Sequence, residues 1–284
     1  NGKDVNATGG SNFVSLVTRL GVRFKGPDVW GAKISGNIEG AFFGNTAAYI
    51  GLLRLRHATI KMDWPKTSLL MGQTWKPAFV TDVFPGVANF STGILFNPFG
   101  WGGQIRIKQN FTPEVSAELT AYKDREFTSP TVLESADNGA VTNSISFNSF
   151  VPIMNAHLQY KSKTVVAGVQ FEYQHLKPSI AQTVAGVTKV SDKALSAPAV
   201  IGYFKYSDAK IFFKAYGISG QNLSHHVMLG GYASYTGTDG MNYYKASKTN
   251  AFWTEIGSNH ATVAPAVFFA YTNNKGFTDS GYNK

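Results

Sequence analysis

From Asn12 to Lys25 the chain alternates between two chemistries, one residue at a time. The even positions, among them Val14, Leu16, Leu20, Val22 and Phe24, are almost wholly apolar, while the odd ones include Arg19, Arg23 and Lys25. Successive side chains of a strand point to opposite faces, so this segment folds as a strand with one apolar and one cationic side. After Gly26-Pro27-Asp28 the pattern returns, with Trp30, Ala32, Ile34, Ile38 and Phe42 set against Lys33, Ser35, Asn37 and Glu39. Two long antiparallel strands joined by a tight turn follow from this.

Strand length decides what such a hairpin belongs to. Strands of soluble proteins run about five or six residues, whereas a tilted strand needs about nine to eleven to cross a bilayer. Segments of this length point to an all-β fold, an antiparallel transmembrane β-barrel of roughly 12–16 strands with long external loops, apolar side to lipid and polar side to a lumen. The competing reading is a large soluble sandwich or propeller whose apolar face is its core.

The rhythm recurs. Ile105 and Ile107 alternate with Gln104, Arg106 and Lys108, and after Phe111-Thr112-Pro113-Glu114 the residues Val115, Ala117, Leu119 and Ala121 alternate with Ser116, Glu118, Thr120 and Tyr122. Met154 to Lys161 and Val165 to Gln174 form another pair, and Ala194 to Tyr206 with Lys210 to Gly220 a third, around Ser207-Asp208-Ala209. Short turns alternate with long connections, the asymmetry of outer-membrane barrels. One strand breaks phase: Arg54 and Arg56 share a face, yet Ile60 and Met62 fall on the same parity. A one-residue bulge between His57 and Thr59 would restore it and place Lys61 with the arginines.

Residues 1–11 are polar and read as a flexible N-terminus, and 12–284 as one transmembrane barrel domain without an internal linker. The polar tail after Thr272 leads to the expectation that closing strands are lacking beyond Lys284, since an open edge in lipid leaves backbone groups unsatisfied. A mean hydropathy of -0.11 does not argue against a membrane, because barrels distribute their apolar residues by alternation. The chain has no cysteine, which excludes disulfides, thiolate metal sites and cysteine nucleophiles.

Charge sorts by parity as well. The 26 Lys and Arg against 17 Asp and Glu give +9, and much of the excess falls on the polar faces. Arg19, Arg23, Arg54, Arg56, Arg106 and Lys108 are the expected lumen-lining residues, and rings of such cations favour anions in a pore. The connection from Lys76 to Gly103 is long enough to be functional. Its constriction candidates are Lys76, Asp82, Phe84 and Trp101, and it either folds into the barrel or lies outward against another subunit. The connections 124–150 and 177–193 read as surface loops.

The chain has six histidines as candidates for a catalytic constellation. A hydrolytic barrel needs a His with a Ser or carboxylate at one rim, and His57 is the one embedded among charges, in a pore-lining or structural role. His225 and His226 are adjacent, so in a strand they would face opposite ways and chelate poorly. No phosphate loop, nucleophile elbow or metal-ligand spacing is evident, and no cofactor is expected. Basic residues interleave with apolar ones instead of clustering, which speaks against nucleic acid.

Arg54-Leu55-Arg56-His57-Ala58, followed by Leu69-Leu70-Met71-Gly72-Gln73-Thr74-Trp75, resembles paired strands of the DcaP-like outer-membrane porins, especially their Bacteroidetes relatives. Pro85-Gly86-Val87 and Asn97-Pro98-Phe99 are similar to the loop that follows in that family. The motif-bearing similarity covers about residues 20 to 110. It implies a bacterial outer-membrane channel, often a trimer, that passes small anionic solutes such as dicarboxylates through an arginine-rich constriction, with Arg54 and Arg56 lining the lumen. The expected function is therefore passive diffusion of small, preferably anionic solutes, without an enzymatic step. The expected partners are those solutes, outer-membrane lipid and further copies of the chain or other outer-membrane proteins. The alternative is a plugged or structural barrel subunit of a larger outer-membrane assembly.

Overall fold

A computed structural model describes residues 18–42, 51–86, 93–124 and 144–277. Twelve antiparallel strands form one sheet in chain order. They are β1 (Arg19–Lys25), β2 (Lys33–Phe42), β3 (Leu53–Asp63), β4 (Thr67–Trp75), β5 (Trp101–Asn110), β6 (Val115–Asp124), β7 (Ile153–Lys161) and β8 (Val165–Leu176), then β11 (Leu195–Ser207), β12 (Ile211–Gln221), β15 (Lys248–Ser258) and β16 (Ala266–Gly276). Two small hairpins, β9 (Ala181–Val184) with β10 (Val187–Val190) and β13 (Tyr232–Thr236) with β14 (Asn242–Ala246), sit within connections. β1 and β16 are the outermost strands of the described sheet.

Turns between β1 and β2, β3 and β4, β5 and β6, β7 and β8, β11 and β12, and β15 and β16 lie at one rim, and the long connections lie at the other. The two faces differ as alternation requires. Val22 on β1, Ile105 on β5, Leu119 on β6, Val169 on β8 and Val200 on β11 point outward and stay more than half exposed. A sandwich would bury this row in its core, whereas lipid covers it in a barrel. Phe24 lies across Gly36, its register partner, where a Cβ would meet the ring at 2.1 Å; an aromatic filling the gap over a glycine pins the register.

The phase break in β3 is real, and lies at its expected place to within a residue. Glu39 pairs with His57 and Gly40 with Leu55, so Arg56 is the extra residue of a bulge. The slip puts His57, Thr59 and Lys61 on the face of Arg54 and turns Ile60 outward, 48% exposed. Gly72 in β4 accommodates the distortion with φ +121, where a Cβ would lie 2.1 Å from the Ala58 carbonyl oxygen.

The inner wall has two halves. On β11, β12 and β15 it is apolar: Ala199, Ile201, Tyr216, Ile218, Ala251 and Trp253 are buried together with Ala78, Val80 and Val83 from the connection after β4. On β1 to β8 it is chiefly polar, including Ser116, Thr120, Asn155, Gln170 and Glu172. In the connection expected as a surface loop, the described part is packed inward: α1 (Ser144–Asn148) buries Ile145 against Leu176, Leu195 and Tyr232. The 177–194 connection folds back as the β9–β10 hairpin, with Gln182 donating to the Asn242 carbonyl near the other hairpin.

Candidate functional site

Arginines and lysines on alternate positions of β1, β3 and β5 project inward, because the bulge keeps β3 in phase with its neighbours. Arg19 and Arg23 are exposed on β1. Arg23 and Lys25 share a cavity of about 510 Å³ with Lys61, Ser35, Asn37 and Thr59. Lys108 lines a second one of about 710 Å³ at the short-turn rim, with Lys161 and Lys163. Glu114 also lines the second cavity, and Lys61 and Lys161 are paired with Asp63 and Asp82. The cationic excess in these concave surfaces therefore rests on Arg23, Lys25, Lys108 and Lys163, and such an excess concentrates anions.

Other expected lumen cations are neutralised locally. Arg56 is nearly buried, its Nε 2.7 Å from Glu39 Oε1. Arg106 Nε lies 3.4 Å from Glu118 Oε1 and its Nη2 donates to the Trp75 carbonyl. Trp75 and Trp101 face each other in register and stack at 4.4 Å, with the guanidiniums of Arg54 and Arg56 lying 4.8 and 4.7 Å from the Trp101 ring centre. Cation–π contact of this kind holds a guanidinium in place. Trp101 thus buttresses the arginines from β5, and Trp75 adds a second ring 5.3 Å from Arg56. His57 donates to or accepts from Thr74 Oγ1 at 2.9 Å, a structural role.

The connection after β4 folds inward. Lys76, fully buried, is 2.7 Å from Asp124 Oδ1 and also donates to the His225 carbonyl. Pro77 and Ala78 carbonyls accept from Gln170 Nε2 and Tyr216 Oη. Asp82 then meets Lys161 at 2.7 Å, the Phe84 carbonyl accepts from Lys214 Nζ, and the Gly86 amide donates to Glu255. Returning, Asn97 Oδ1 accepts from Trp253 Nε1 at 3.0 Å and the Phe99 amide donates to the His226 carbonyl. This segment descends one half of the wall and climbs back, supplying its polar backbone with wall partners as buried backbone demands. Sequence left inward and outward placement open, and periodicity carries no signal for it.

At the long-loop rim the chain holds a buried polar cluster that parity misread. Asn222 and Val227 adopt positive φ, 48 and 59, and bound a single 3-10 turn, Leu223–His226. On that turn His225 and His226 do not diverge as they would on a strand. Their rings stack at 3.9 Å, and their Nε2 atoms lie 3.1 and 2.6 Å from the same oxygen, Glu172 Oε1. Burial, and then the neighbouring His225, push the His226 imidazole down to about 4, so it is neutral at pH 7.

No family model matches this chain, nor does any curated protein. Among solved structures it is similar to the outer membrane channel DcaP of Acinetobacter baumannii, with a TM-score of 0.64 and 18% identity over 94% of this chain and 68% of that one. It is also similar to an anion-selective porin from Comamonas acidovorans, with a TM-score of 0.55 and 14% identity over 91% and 69%. At these identities the likeness is one of fold, the antiparallel β-barrel that these channels share.

Proposed function

We propose that the chain is a single barrel domain of the bacterial outer membrane, related to the DcaP-like porins, that lets small and preferably anionic solutes diffuse through its lumen. The observation that carries this reading is the set of inward cations, Arg19, Arg23 and Lys108, on the half of the wall that the inner loop leaves uncovered; Lys61 is paired with Asp63 at 2.7 Å. Arg23 and Lys108 have no acidic partner within ion-pair distance among the described residues. Such groups replace part of an anion's hydration and repel cations. Transport of this kind involves no bond making and no cofactor. A trimer fits the reading, since the porins that the sequence resembles are often trimers.

A second reading, a plugged barrel serving a larger assembly, is favoured by one specific feature, the packing of Ala78, Val80, Val83 and Phe96 from the connection after β4 along the β11, β12 and β15 wall. Planar-bilayer recording of the detergent-purified protein under a salt gradient separates the two. A diffusion channel gives open steps with an anion-selective reversal potential, and Arg23→Gln with Lys108→Gln moves that potential toward zero. A folded, inserted barrel without steps establishes the plugged reading instead.

A further inference from the structure

We propose that Glu172, His225 and His226 form a site for one divalent transition ion of the zinc class, tying the turn after β12 to the wall strand β8. Glu172 Oε1 and the two imidazole nitrogens all lie within 4.8 Å of one another, and all three side chains are buried.

Both imidazoles turn Nε2 toward the same carboxylate oxygen. His225 Nδ1 faces the backbone carbonyl of Asn222 at 3.0 Å; a carbonyl only accepts, so Nδ1 carries the hydrogen and Nε2 is the atom left for Glu172 Oε1, 3.1 Å away. His226 Nε2 stands 2.6 Å from the same oxygen, and the two rings stack at 3.9 Å. One doubly charged ion can take both Nε2 atoms and the carboxylate oxygen as ligands together.

The surroundings fit a ligand set. A metal-bound His commonly donates its other ring nitrogen to a carbonyl, which fixes tautomer and orientation, as Asn222 does for His225. Asn222 is itself held by Gln174, its Nδ2 donating at 2.8 Å, and Asn155 Nδ2 lies 3.3 Å from Glu172 Oε2. Two nitrogens and one oxygen suit zinc, cobalt, nickel or copper; calcium and magnesium take oxygen sets. Ligands about 2.0–2.1 Å from a tetrahedral zinc stand roughly 3.3 Å apart. Against Glu172 Oε1 the His225 spacing already matches and that of His226 has to open by under an ångström, while the two nitrogens lie within 4.8 Å of each other. Because the Phe99 amide donates to the His226 carbonyl, the ion also secures the return limb of the inner loop.

The test is a Co²⁺ titration of the folded, detergent-purified barrel, with metal added to folded protein and, separately, during refolding. The expected result is one equivalent bound with visible d–d bands, displaced by Zn²⁺, and a Zn²⁺-dependent rise in unfolding temperature that EDTA reverses. His225→Gln, His226→Gln and Glu172→Gln should each weaken Co²⁺ binding by about 100-fold or more, while His260→Gln, on an exposed turn, leaves it unchanged. The proposal is overturned if folded wild-type protein takes up no Co²⁺ by either route, if the three folded variants bind as wild type does, or if His260→Gln abolishes binding. Should a variant fail to fold, the wild-type and His260→Gln titrations decide. None of these readouts depends on conductance.

Discussion

Asp82 Oδ2 lies 2.7 Å from Lys161 Nζ, although the segment carrying Asp82 leaves the wall at the long-loop rim and Lys161 is the last residue before the turn at the opposite rim. That one contact shows that the inner loop spans the height of the sheet. Both groups are partly exposed, at 52% for Lys161 and 34% for Asp82, so the pair adds under about 1 kcal/mol to stability. Asp82→Asn is therefore expected to leave the unfolding midpoint nearly unchanged while raising single-channel conductance or open-channel noise, as the loop tip is released. Identical recordings from wild type and variant would show that the tip does not obstruct the path.

Arg56 is the opposite case. Its side chain is nearly buried against Glu39 and lies over Trp101, so removing the charge strands a carboxylate with restricted access to water. Arg56→Met should cost about 1–3 kcal/mol, read by urea unfolding in detergent. Adding Glu39→Gln to that variant should recover part of the loss, and a double-mutant cycle with no coupling would contradict the pairing.

Trp253 is fully buried between Tyr216 and Phe268 and bonds Asn97 on the return limb. Trp253→Phe keeps most of the packing but leaves Asn97 Oδ1 without its donor, a loss of about 1–3 kcal/mol. Trp253→Ala opens a cavity as well and should cost about 3–5 kcal/mol. The ratio of the two, measured by equilibrium unfolding, divides anchoring from packing.

Gly168 faces Tyr203, its register partner, and a Cβ there would lie 2.3 Å from the phenolic oxygen. That oxygen is bonded by Gln159 at 2.9 Å and by His157 at 2.5 Å, so it cannot yield without losing partners. Gly168→Val should destabilise by about 1–3 kcal/mol and free the Tyr203 ring, visible as a change in its ultraviolet absorbance. An unchanged spectrum and stability would mean that the ring is loosely held.

Asp208, in the turn between β11 and β12, accepts from the amides of Ile211 and Lys210, and these bonds, that from Ile211 first, hold its carboxyl below the usual range. A depressed acid contributes order that is present above its unfolded value, about pH 4, and lost as pH falls through the folded one. The protection of the Ile211 amide, its exchange rate relative to an unstructured amide at the same pH, should fall in wild type as pH drops from about 4 through the depressed folded value and be low at every pH in Asp208→Ala. Protection that is flat with pH in wild type would refute this.

Strand placement was legible because alternation is local: β7 and β8 begin and end within a residue or two of the limits read from Met154 to Lys161 and Val165 to Gln174. Even the bulge was visible, since Ile60 on the arginine parity had to be moved outward. Two things were not. The inward course of the loop rests on contacts such as Gly86 with Glu255, 169 residues apart, for which no local pattern exists. The convergence of His225 and His226 was misjudged because parity applies only to extended backbone, and positive φ at Asn222 and Val227 replaces the strand by a turn. Asn222 is the one residue there whose type hints at it, asparagine tolerating that conformation better than most. Trp101 was singled out for its place in the loop; its contact with Arg54 and Arg56 follows from the facing of β4 and β5, which periodicity does not supply.

The unbroken neighbour order of the sheet sets a sequence of events in time. Each strand bonds to the one before it, with only the two small hairpins interposed, so the wall can grow by short closures that cost little chain entropy. The anchors of the inner segment, Asp82 to Lys161, Gly86 to Glu255 and Asn97 to Trp253, join residues that approach only after β7, β12 and β15 have taken their places. These three anchors can close only once those strands are in place, so the lumen along them is wider before they form than after.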